Sequence, residues 1–592
     1  MYEIIKRDEL GRIGKWTCAD KTIETPAMAV VVNPNKMTIG MDELENEFHA
    51  QLIITNAYII RQSKQADEIN KKKLHKYLKW KKPIYTDSGT FQMYSIGKAD
   101  IGAKETIELQ LELGSDIITP LDKFTFPTDT KDEVKMKMKS TFENSVLARE
   151  IIKKYNQKHK TSVQFNSTIQ GGLFMDCRRE CAKLVSSLHP DIISVGGIVP
   201  LMEQYKYKTL TDILMNVKKE ANINTPLHAF GCGHPMVFSL MVLCGVDIFD
   251  SAAYAIFAKK KKYICIWGTE DVDKLHYLPC SCPICSKFTL DEIKNDTHLL
   301  AKHNLHVTLS ELQIIKQAIS NGTLRKLTEM RCSQHPTLYS AYKNLGKYNS
   351  FIEKYASFEK RSSLFFISEL SRTNVDLYRL RKNSKRVESK HKMKFIDYEV
   401  PYELKNAYPL GQKVLPFHIS KKNKDINAER NLPDLSVLDE AKARLEYQFG
   451  KKIGSFFTAN KDKIEIKISK TKIHRLKEMK LDDVLIGTFS AKTGYFIPTF
   501  FGSCELKKYL NEKDYCVVVK DEAIPFIKEG KSVFAKYVKF CDKNIRPHDA
   551  VFIVDGKYKV LATGQALMNK REMKEFNCGV AVKSRKTKKS NS

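Results

Sequence analysis

The sequence predicts an α/β protein whose first half forms a (β/α)8 barrel. Eight short apolar runs rich in β-branched residues occur between residues 26 and 249, and helical patterns lie between many of them. Strands that alternate with helices are typical of βα units in a parallel sheet, and eight such units close into a barrel. An open doubly wound sheet is the alternative, but no G-x-G-x-x-G motif follows any of the runs.

The candidate strands and helices define the barrel part of the chain. The predicted strands are Pro26–Val32, Leu52–Thr55, Ile84–Thr86, Ile117–Leu121, Val163–Ile169, Ile192–Val195, Leu227–Phe230 and Val246–Phe249. The predicted helices include Thr106–Leu113, Val134–Tyr155, Met175–Leu188 and Leu210–Glu220. Barrels of this class place their chemistry at the carboxyl ends of the strands, so the residues that follow each run are the candidates for function.

Carboxylates, amides and glycines follow these runs. The carboxylates are Asp87, Asp122 and Asp250. Asn33, Asn56, Gln170-Gly171-Gly172, Gly196-Gly197 and Gly231-Cys232-Gly233 follow other runs. Glycines let backbone N–H groups approach a flat ligand, and carboxylates suit acid–base chemistry. The pattern therefore predicts one pocket, although Asp87-Ser88-Gly89 on its own is also good turn chemistry.

The charge of the chain predicts a polyanionic partner. The 592 residues include 99 Lys and Arg against 69 Asp and Glu, which gives a formal charge of +30. Nucleic acid is the simplest partner for such a surface; a generally lysine-rich proteome is the alternative. The 14 cysteines are mostly scattered and the start has no signal-peptide pattern, so we expect a cytoplasmic protein. No run of 18 uncharged apolar residues occurs, so no membrane span is expected.

Three clustered cysteines predict a metal site. Cys280, Cys282 and Cys285 are followed by His303 and His306. Thiolates and an imidazole at this spacing are typical of a closed tetrahedral Zn²⁺ site, which is structural rather than catalytic. The spacing leaves both histidines open as the fourth ligand, and a set of reduced thiols without metal is the alternative.

Five motifs in order carry a resemblance to a known family. They are Asp87-Ser88-Gly89-x-Phe91-Gln92, Gln170-Gly171-Gly172, Gly196-Gly197, Gly245-Val246-Asp247-x-Phe249-Asp250, and Cys-x-Cys-x2-Cys followed by His303-Asn304-Leu305. Together they resemble the tRNA-guanine transglycosylase family. The resemblance implies a (β/α)8 barrel with one structural zinc per chain and exchange of guanine in tRNA for a 7-deazaguanine. The zinc histidine of that family lies in a His-Asn-Leu motif, which favours His303 over His306.

Further segments resemble the archaeal branch of that family. They are Thr25-Pro26-Ala27, Asn33-Pro34-Asn35, Pro120-Leu121-Asp122 and Phe249-Asp250-Ser251-Ala252-Ala253-Tyr254-Ala255. The resemblance implies replacement of guanine at position 15, in the D-arm of tRNA, by 7-cyano-7-deazaguanine through a covalent aspartyl–ribosyl intermediate. The alternatives are a queuine-type exchange in the anticodon loop and a non-catalytic tRNA-binding subunit. Lys259–Lys262 departs from the acidic residues expected there, and it is either a solvated face or a phosphate contact.

The resemblance also implies roles for individual residues. Asp250 is the expected nucleophile and Asp87 the general acid and base, with the reverse assignment left open. The expected substrate-binding residues are Ser88, Phe91, Asp122, Gln170, Ser194, Gly196 and Gly197. The expected zinc ligands are Cys280, Cys282, Cys285 and His303. Members of the family often form dimers near the zinc region, and the sequence leaves open whether this chain does so.

The second half of the chain predicts smaller domains. After a catalytic barrel over residues 1–358, with its zinc-binding segment at 280–303, we expect a basic connecting region (359–430), a small α+β domain (431–506), a PUA-like RNA-binding domain (507–585) and a basic disordered tail (586–592). The PUA resemblance depends on Ile545-Arg546-Pro547-x-Asp549, Gly564 and Gly579–Val582. His548 stands where a PUA domain usually has glycine.

Overall fold

The computed structural model describes residues 2–90, 93, 101–360, 364–396, 398–411, 435–470 and 475–587. Phe91 and Gln92, residues 412–430 of the predicted connecting region and most of the predicted C-terminal tail lie outside the described residues. The chain divides into two compact units, Met1–Asn344 and Leu345–Ser592. The finer division expected from the sequence, with boundaries at 358, 430, 506 and 585, stays a prediction. Within the described residues, no helix combines the length and the apolar composition needed to cross a bilayer.

The first unit begins with a three-stranded antiparallel sheet that the sequence reasoning missed. Its strands are β1 (Tyr2–Asp8), β2 (Gly11–Cys18) and β3 (Lys21–Thr25). Arg12 donates from Nε and Nη2 to the carboxylate of Asp247 at 2.8 and 2.7 Å, and both side chains are buried. Burial alone would raise the pKa of Asp247, but the charges of Arg12 and Lys218 lower it. This ion pair joins the sheet to a segment 235 residues further along the chain.

The predicted barrel is confirmed as a closed ring of eight parallel strands, with the last strand paired to the first. The strands are β4 (Ala27–Val31), β5 (Leu52–Asn56), β6 (Ile84–Asp87), β7 (Ile117–Ile118), β8 (Gln164–Ile169), β9 (Ile192–Val195), β10 (Leu227–Ala229) and β11 (Ile248–Ser251). Each overlaps a predicted run. Asp87 and Asp250 lie inside the ladder rather than after it, because Asp87 pairs with Asn56 and Asp250 with Ala29.

Helices separate these strands and continue after them. Those of the barrel are Met41–Asn46, Ala57–Arg61, Ala66–Leu78, Ala103–Glu112, Lys131–His159, Met175–Ser187, Val199–Glu203, Tyr207–Glu220, Pro235–Leu243 and Ala253–Lys259. A hairpin of β12 (Lys262–Cys265) and β13 (Gly268–Asp271) follows. The further helices among the described residues are Pro283–Lys287, Leu290–Asn295, Thr297–Asn321, Leu324–Cys332 and Pro336–Leu345, the last of which ends at the boundary of the unit. The longest, Lys131–His159, begins at a capping box formed by Thr130 and Glu133.

The described residues of the second unit form three sheets. The smallest pairs β14 (Lys392–Phe395) with β15 (Tyr398–Pro401). The second runs β16 (Ile464–Ile468), β17 (Leu476–Leu481), β18 (Val484–Phe489), β19 (Phe496–Pro498). The third has the order β21-β25-β24-β23-β20-β22, with β20 (Cys516–Val519), β21 (Val533–Phe534), β22 (Val538–Cys541), β23 (Ala550–Val554), β24 (Val560–Ala566) and β25 (Val580–Thr587). The helices are Asn349–Ile352, Val375–Ser384, Val437–Phe449, Gly454–Ala459, Phe500–Lys507, Ile524–Lys528 and Lys570–Glu575.

The six-stranded sheet spans the segment predicted to be PUA-like. His548 has a φ of 71°, so the turn keeps the left-handed backbone conformation that glycine favours although histidine has a Cβ. Arg546 of the same turn is buried and donates from Nε and Nη2 to the two carboxylate oxygens of Glu353, both at 3.0 Å. Arg379 donates from Nε to the same carboxylate at 3.1 Å. One buried carboxylate therefore holds two buried guanidinium groups.

Glu353→Gln is expected to destabilise the second unit by about 3 kcal/mol, because one guanidinium would be left buried without its counter-charge. Burial alone would raise the pKa of Glu353, but Arg379 and Arg546 lower it strongly, so the stabilisation is present near neutral pH and is lost as the pH falls below about 4. Hydrogen–deuterium exchange of peptides from Leu345–Ser592 measures the effect.

The matched control for Glu353→Gln is Glu399→Gln. Glu399 forms an exposed ion pair with Lys392, and loss of this pair should cost less than about 1 kcal/mol. Equal exchange in the two variants would contradict the prediction.

Candidate active site and metal centre

The carboxyl ends of the barrel strands surround a cavity of about 930 Å³. Its lining includes all three predicted carboxylates, Asp87, Asp122 and Asp250, together with Gly196 and Gly197. The other predicted substrate-binding residues that are described do not line the cavity and are buried; they are Ser88, Gln170 and Ser194. Three carboxylates in one cavity repel one another electrostatically, and this favours protonation of one of them.

Asp87 is the carboxyl group in which protonation is favoured. Its Oδ2 accepts a hydrogen bond from Nδ2 of Asn56 at 3.0 Å, and Oδ1 of Asn56 in turn caps the helix Ala57–Arg61. Burial raises the pKa of Asp87 to about 7, with further contributions from the charges of Asp122 and Asp250. Because its pKa is near 7, Asp87 can donate or accept a proton near neutral pH. The turn after Asp87 requires glycine at position 89, since Gly89 has a φ of +88° and a Cβ there would meet Cβ of Tyr58 at 2.4 Å.

Asp250 is held by one of its two oxygens. Oδ1 accepts a hydrogen bond from the N–H of Gly231 at 2.7 Å and lies 2.8 Å from Nε2 of His228. Within the described part of the chain, Oδ2 has no hydrogen-bond partner. Gly233 lets this loop approach β11 closely, since a Cβ there would lie 1.7 Å from that of Ser251. The carboxylate is thus oriented while one oxygen remains available to a ligand.

His228 is a site residue that the sequence reasoning missed. It is fully buried on β10, and its Nδ1 lies 3.4 Å from the hydroxyl of Tyr85 and 3.3 Å from Oγ of Ser194. Ser194 donates to Oδ1 of Asn166 at 2.7 Å. With a proton on Nε2, the imidazole donates to Asp250. The sequence could have indicated His228, because a histidine inside a buried apolar strand needs polar partners.

Asp122 is oriented by a second set of buried groups. Gln170 donates from Nε2 to Oδ2 of Asp122. Oε1 of Gln170 accepts from Oγ1 and the N–H of Thr125, at 2.7 and 3.3 Å, so the amide orientation is fixed. Burial raises the pKa of Asp122, and hydrogen bonds from Gln170 and Thr90 oppose that rise. Gln170 positions the carboxylate in this geometry, and its direct contact with a substrate stays a prediction.

Arg178 is a further residue of the site that no motif of the sequence indicates. It is fully buried and donates to the carbonyl oxygens of Gly172 at 3.0 Å, Ile169 at 3.1 Å and Gly196 at 2.8 Å. Burial lowers its pKa to about 10. The guanidinium ties together the two glycine loops that follow β8 and β9. The close approach of the Arg178 backbone also explains why Gly171 is glycine, because a Cβ there would lie 2.8 Å from the backbone nitrogen of Arg178.

The cysteine cluster forms a group that could bind a metal ion. The ligand atoms of Cys280, Cys282, Cys285 and His303 all lie within 4.8 Å of one another. Nδ1 of His303 faces the thiols, 3.2 Å from Sγ of Cys285, and Nε2 lies 3.0 Å from the carbonyl oxygen of Ile264. His306 points elsewhere, with Nε2 3.0 Å from Oε1 of Glu47. Three thiols and an imidazole whose second nitrogen is held by a carbonyl fit a tetrahedral Zn²⁺ site.

Comparisons with known proteins agree with this geometry. A family model described as queuine tRNA-ribosyltransferase matches residues 8–337, and a PUA domain model matches residues 515–587. A tRNA-guanine(15) transglycosylase of Pyrococcus abyssi is 38% identical over 99% of this chain and 98% of its own length. The protein of the same description from Pyrococcus furiosus is 37% identical over 99% and 97%. One from Methanococcus aeolicus is 34% identical over 99% of both chains.

Proposed function

Because this chain belongs to the tRNA-guanine transglycosylase family, we propose that it replaces guanine at position 15 of tRNA with a 7-deazaguanine base. The full-length similarity to tRNA-guanine(15) transglycosylases and the C-terminal PUA domain support this choice of nucleotide. The observation that carries the proposal is the pair of carboxyl groups on one cavity. Asp250 has an oriented carboxylate, and Asp87 has a pKa of about 7.

The reaction that this pair supports is a double displacement at C1′ of the ribose. The nucleotide must first leave its stack to reach the cavity. Oδ2 of Asp250 then bonds to C1′ as the bond to the purine nitrogen breaks, and Asp87 gives its proton to the departing guanine. The transition state is oxocarbenium-like, as in retaining glycoside hydrolysis. The product of this half is an aspartyl–ribosyl ester.

The second half reverses these events with the new base. Asp87, now a carboxylate, takes the proton from the ring nitrogen of the incoming base. That nitrogen bonds to C1′, the ester bond breaks, and the electron pair returns to Asp250. We expect the carboxylate of Asp122 to accept hydrogen bonds from the N–H and amino edge of the purine. The reverse assignment of Asp87 and Asp250 is the alternative that covalent trapping must test.

The incoming base is proposed to be 7-cyano-7-deazaguanine, and incorporation of this base in labelled form tests the function. Unmodified archaeal tRNA is incubated with the protein and the label, and the labelled nucleotide is mapped. Label at position 15 supports the proposal, whereas label in the anticodon loop would move the chain to queuine-type exchange. Tight tRNA binding without label would favour a non-catalytic tRNA-binding subunit. A cytoplasmic location and a homodimer stay predictions.

The Cys3His group is proposed to hold one structural Zn²⁺, which would fold the segment that follows the barrel. We expect metal analysis to find about one zinc per chain and Cys282→Ser to lower that content, because thiolate ligation contributes folding energy in closed sites. The matched control is Cys504→Ser, which replaces a free and partly buried cysteine of the second unit. This variant should keep the zinc content of the wild-type protein. A protein that folds fully without metal would contradict the structural role.

A further inference from the structure

We propose that the tip of the β12–β13 hairpin is a nucleotide subsite, in which the indole of Trp267 stacks on an unpaired nucleobase next to the exchanged guanosine. This inference rests on the proposed function for the identity of the strand. Trp267 lies in the turn between the two strands, and it lines the same cavity as Asp250. Its neighbour Gly268 has open space where a Cβ would be.

The exposure of Trp267 sets it apart from the other tryptophans. The chain contains three, and Trp16 and Trp80 are each 1% exposed, whereas Trp267 is 40% exposed. Core packing therefore does not explain the position of this indole. An exposed aromatic ring beside a cavity that also contains three carboxylates provides a face on which a base can stack, and every base has a face for such stacking. A ligand that enters this cavity as part of a polynucleotide brings adjacent bases to the cavity mouth.

The hairpin is fixed from both strands, which makes it a preorganised platform. On β12, the N–H of Ile264 donates to Oδ1 of Asn304 at 2.8 Å, and the carbonyl of the same residue pairs with Nε2 of His303. On β13, Oγ1 of Thr269 lies 2.9 Å from Nε2 of His234. Nδ1 of His234 accepts from the N–H of Met236, so Nε2 is the donor to Thr269. A rigid aromatic platform binds with little loss of conformational entropy.

The lysine run before the hairpin supplies the phosphate side of the subsite. Lys261 and Lys262 pair with Asp273 and Asp271, at 3.4 and 3.3 Å. Lys259 and Lys260 are exposed, line the cavity, and form no ion pair with any residue that the structure describes. The ammonium groups of Lys259 and Lys260 and the exposed indole of Trp267 therefore line one cavity, and they suit the phosphates and the bases of one strand.

Fluorescence tests the stacking directly, because the other two tryptophans are buried. Iodide is expected to quench mainly Trp267 in the free protein. Unmodified tRNA should protect that emission, and Trp267→Phe should remove the quenchable component. Iodide quenching that stays unchanged when tRNA is bound would overturn the proposal. This readout needs only tRNA binding, so it stays informative if no base exchange occurs and the proposed function itself fails.

Kinetics then separate a subsite from a structural role. Trp267→Ala is expected to raise the KM for tRNA about 10-fold. It should leave the KM for the free base and the zinc content unchanged, and Trp267→Phe should restore most of the affinity for tRNA. The matched control is Tyr277→Ala, an aromatic residue that is 84% exposed and does not line the cavity. An unchanged KM for tRNA, or an equal rise in the KM for the base, would overturn the subsite.

Discussion

Asp250→Asn is expected to abolish base exchange and the covalent tRNA–protein intermediate together. The amide can still accept the hydrogen bond from Gly231, but it lacks the negatively charged oxygen that must bond to C1′. Removal of a nucleophile typically lowers turnover by about a thousandfold or more. Exchange of labelled guanine in tRNA measures the rate, and a denaturing gel detects the covalent complex.

A second carboxylate of the same unit provides the control for Asp250→Asn. Asp273 is exposed and pairs with Lys261, so Asp273→Asn should leave both readouts unchanged. Two results would contradict the assignment. Exchange within about tenfold of wild type would remove Asp250 from the chemistry, because the loss of a nucleophile costs far more. A covalent complex that survives in Asp250→Asn but is absent in Asp87→Asn would make Asp87 the nucleophile.

Asp87→Asn is expected to lower the rate of exchange about a thousandfold while making the first unit more stable near pH 8. The rate falls because no group is left to protonate the departing guanine. The stability rises because the wild-type protein must hold a half-buried carboxylate beside Asp122 and Asp250 at that pH, and the amide carries no charge. Loss of activity with a gain in stability distinguishes a functional carboxyl group from one that supports the fold.

The sign of the stability change follows from the raised pKa of Asp87. The folded protein holds a proton on this carboxyl up to about pH 7, whereas the unfolded chain releases it near pH 4. Wild-type stability therefore falls as the pH rises through this window. The gain in Asp87→Asn should be absent at about pH 4 and reach about 2 kcal/mol above pH 7, less than the full shift implies because the carboxyl is partly solvated.

Two measurements check these expectations for Asp87. Thermal unfolding of wild type and variant at the two pH extremes measures the stability difference, and an equal difference at both would contradict the titration. Single-turnover formation of the covalent complex by the wild-type protein should slow above about pH 7, where the proton donor is lost. A rate that rises steadily through that pH would show that Asp87 does not act as the acid in the first half-reaction.

The barrel was predictable because its strands are buried on both faces and read as continuous apolar runs. The site was predictable for a related reason, since strand ends concentrate function and the residues after those runs include three carboxylates. The N-terminal sheet was not predicted because its strands mix charged and apolar residues. In β1, for example, Glu3, Lys6 and Arg7 lie among apolar residues. Its partner Asp247 lies far away in sequence, and no local pattern indicates such a contact.

The residues that support the site were harder to predict than those that line it. His228 and Arg178 act through contacts with backbone groups and side chains from other strands, which only the closed barrel brings together. The lysine run shows the same limit. Lys261 and Lys262 form ion pairs within the hairpin region, whereas Lys259 and Lys260 line the cavity. A run of four identical lysines does not indicate which of them pair and which line a cavity.

The pairing of β4 with β11 has a consequence for synthesis on the ribosome. The edge of β4 stays unpaired until β11, more than 200 residues later, has left the exit tunnel. The ion pair between Arg12 and Asp247 likewise cannot form until Asp247 has left the exit tunnel. Contacts with such long sequence separation form late, and an open apolar strand edge is a site of aggregation while it waits. The nascent chain therefore needs protection from its neighbours for more than a third of its translation.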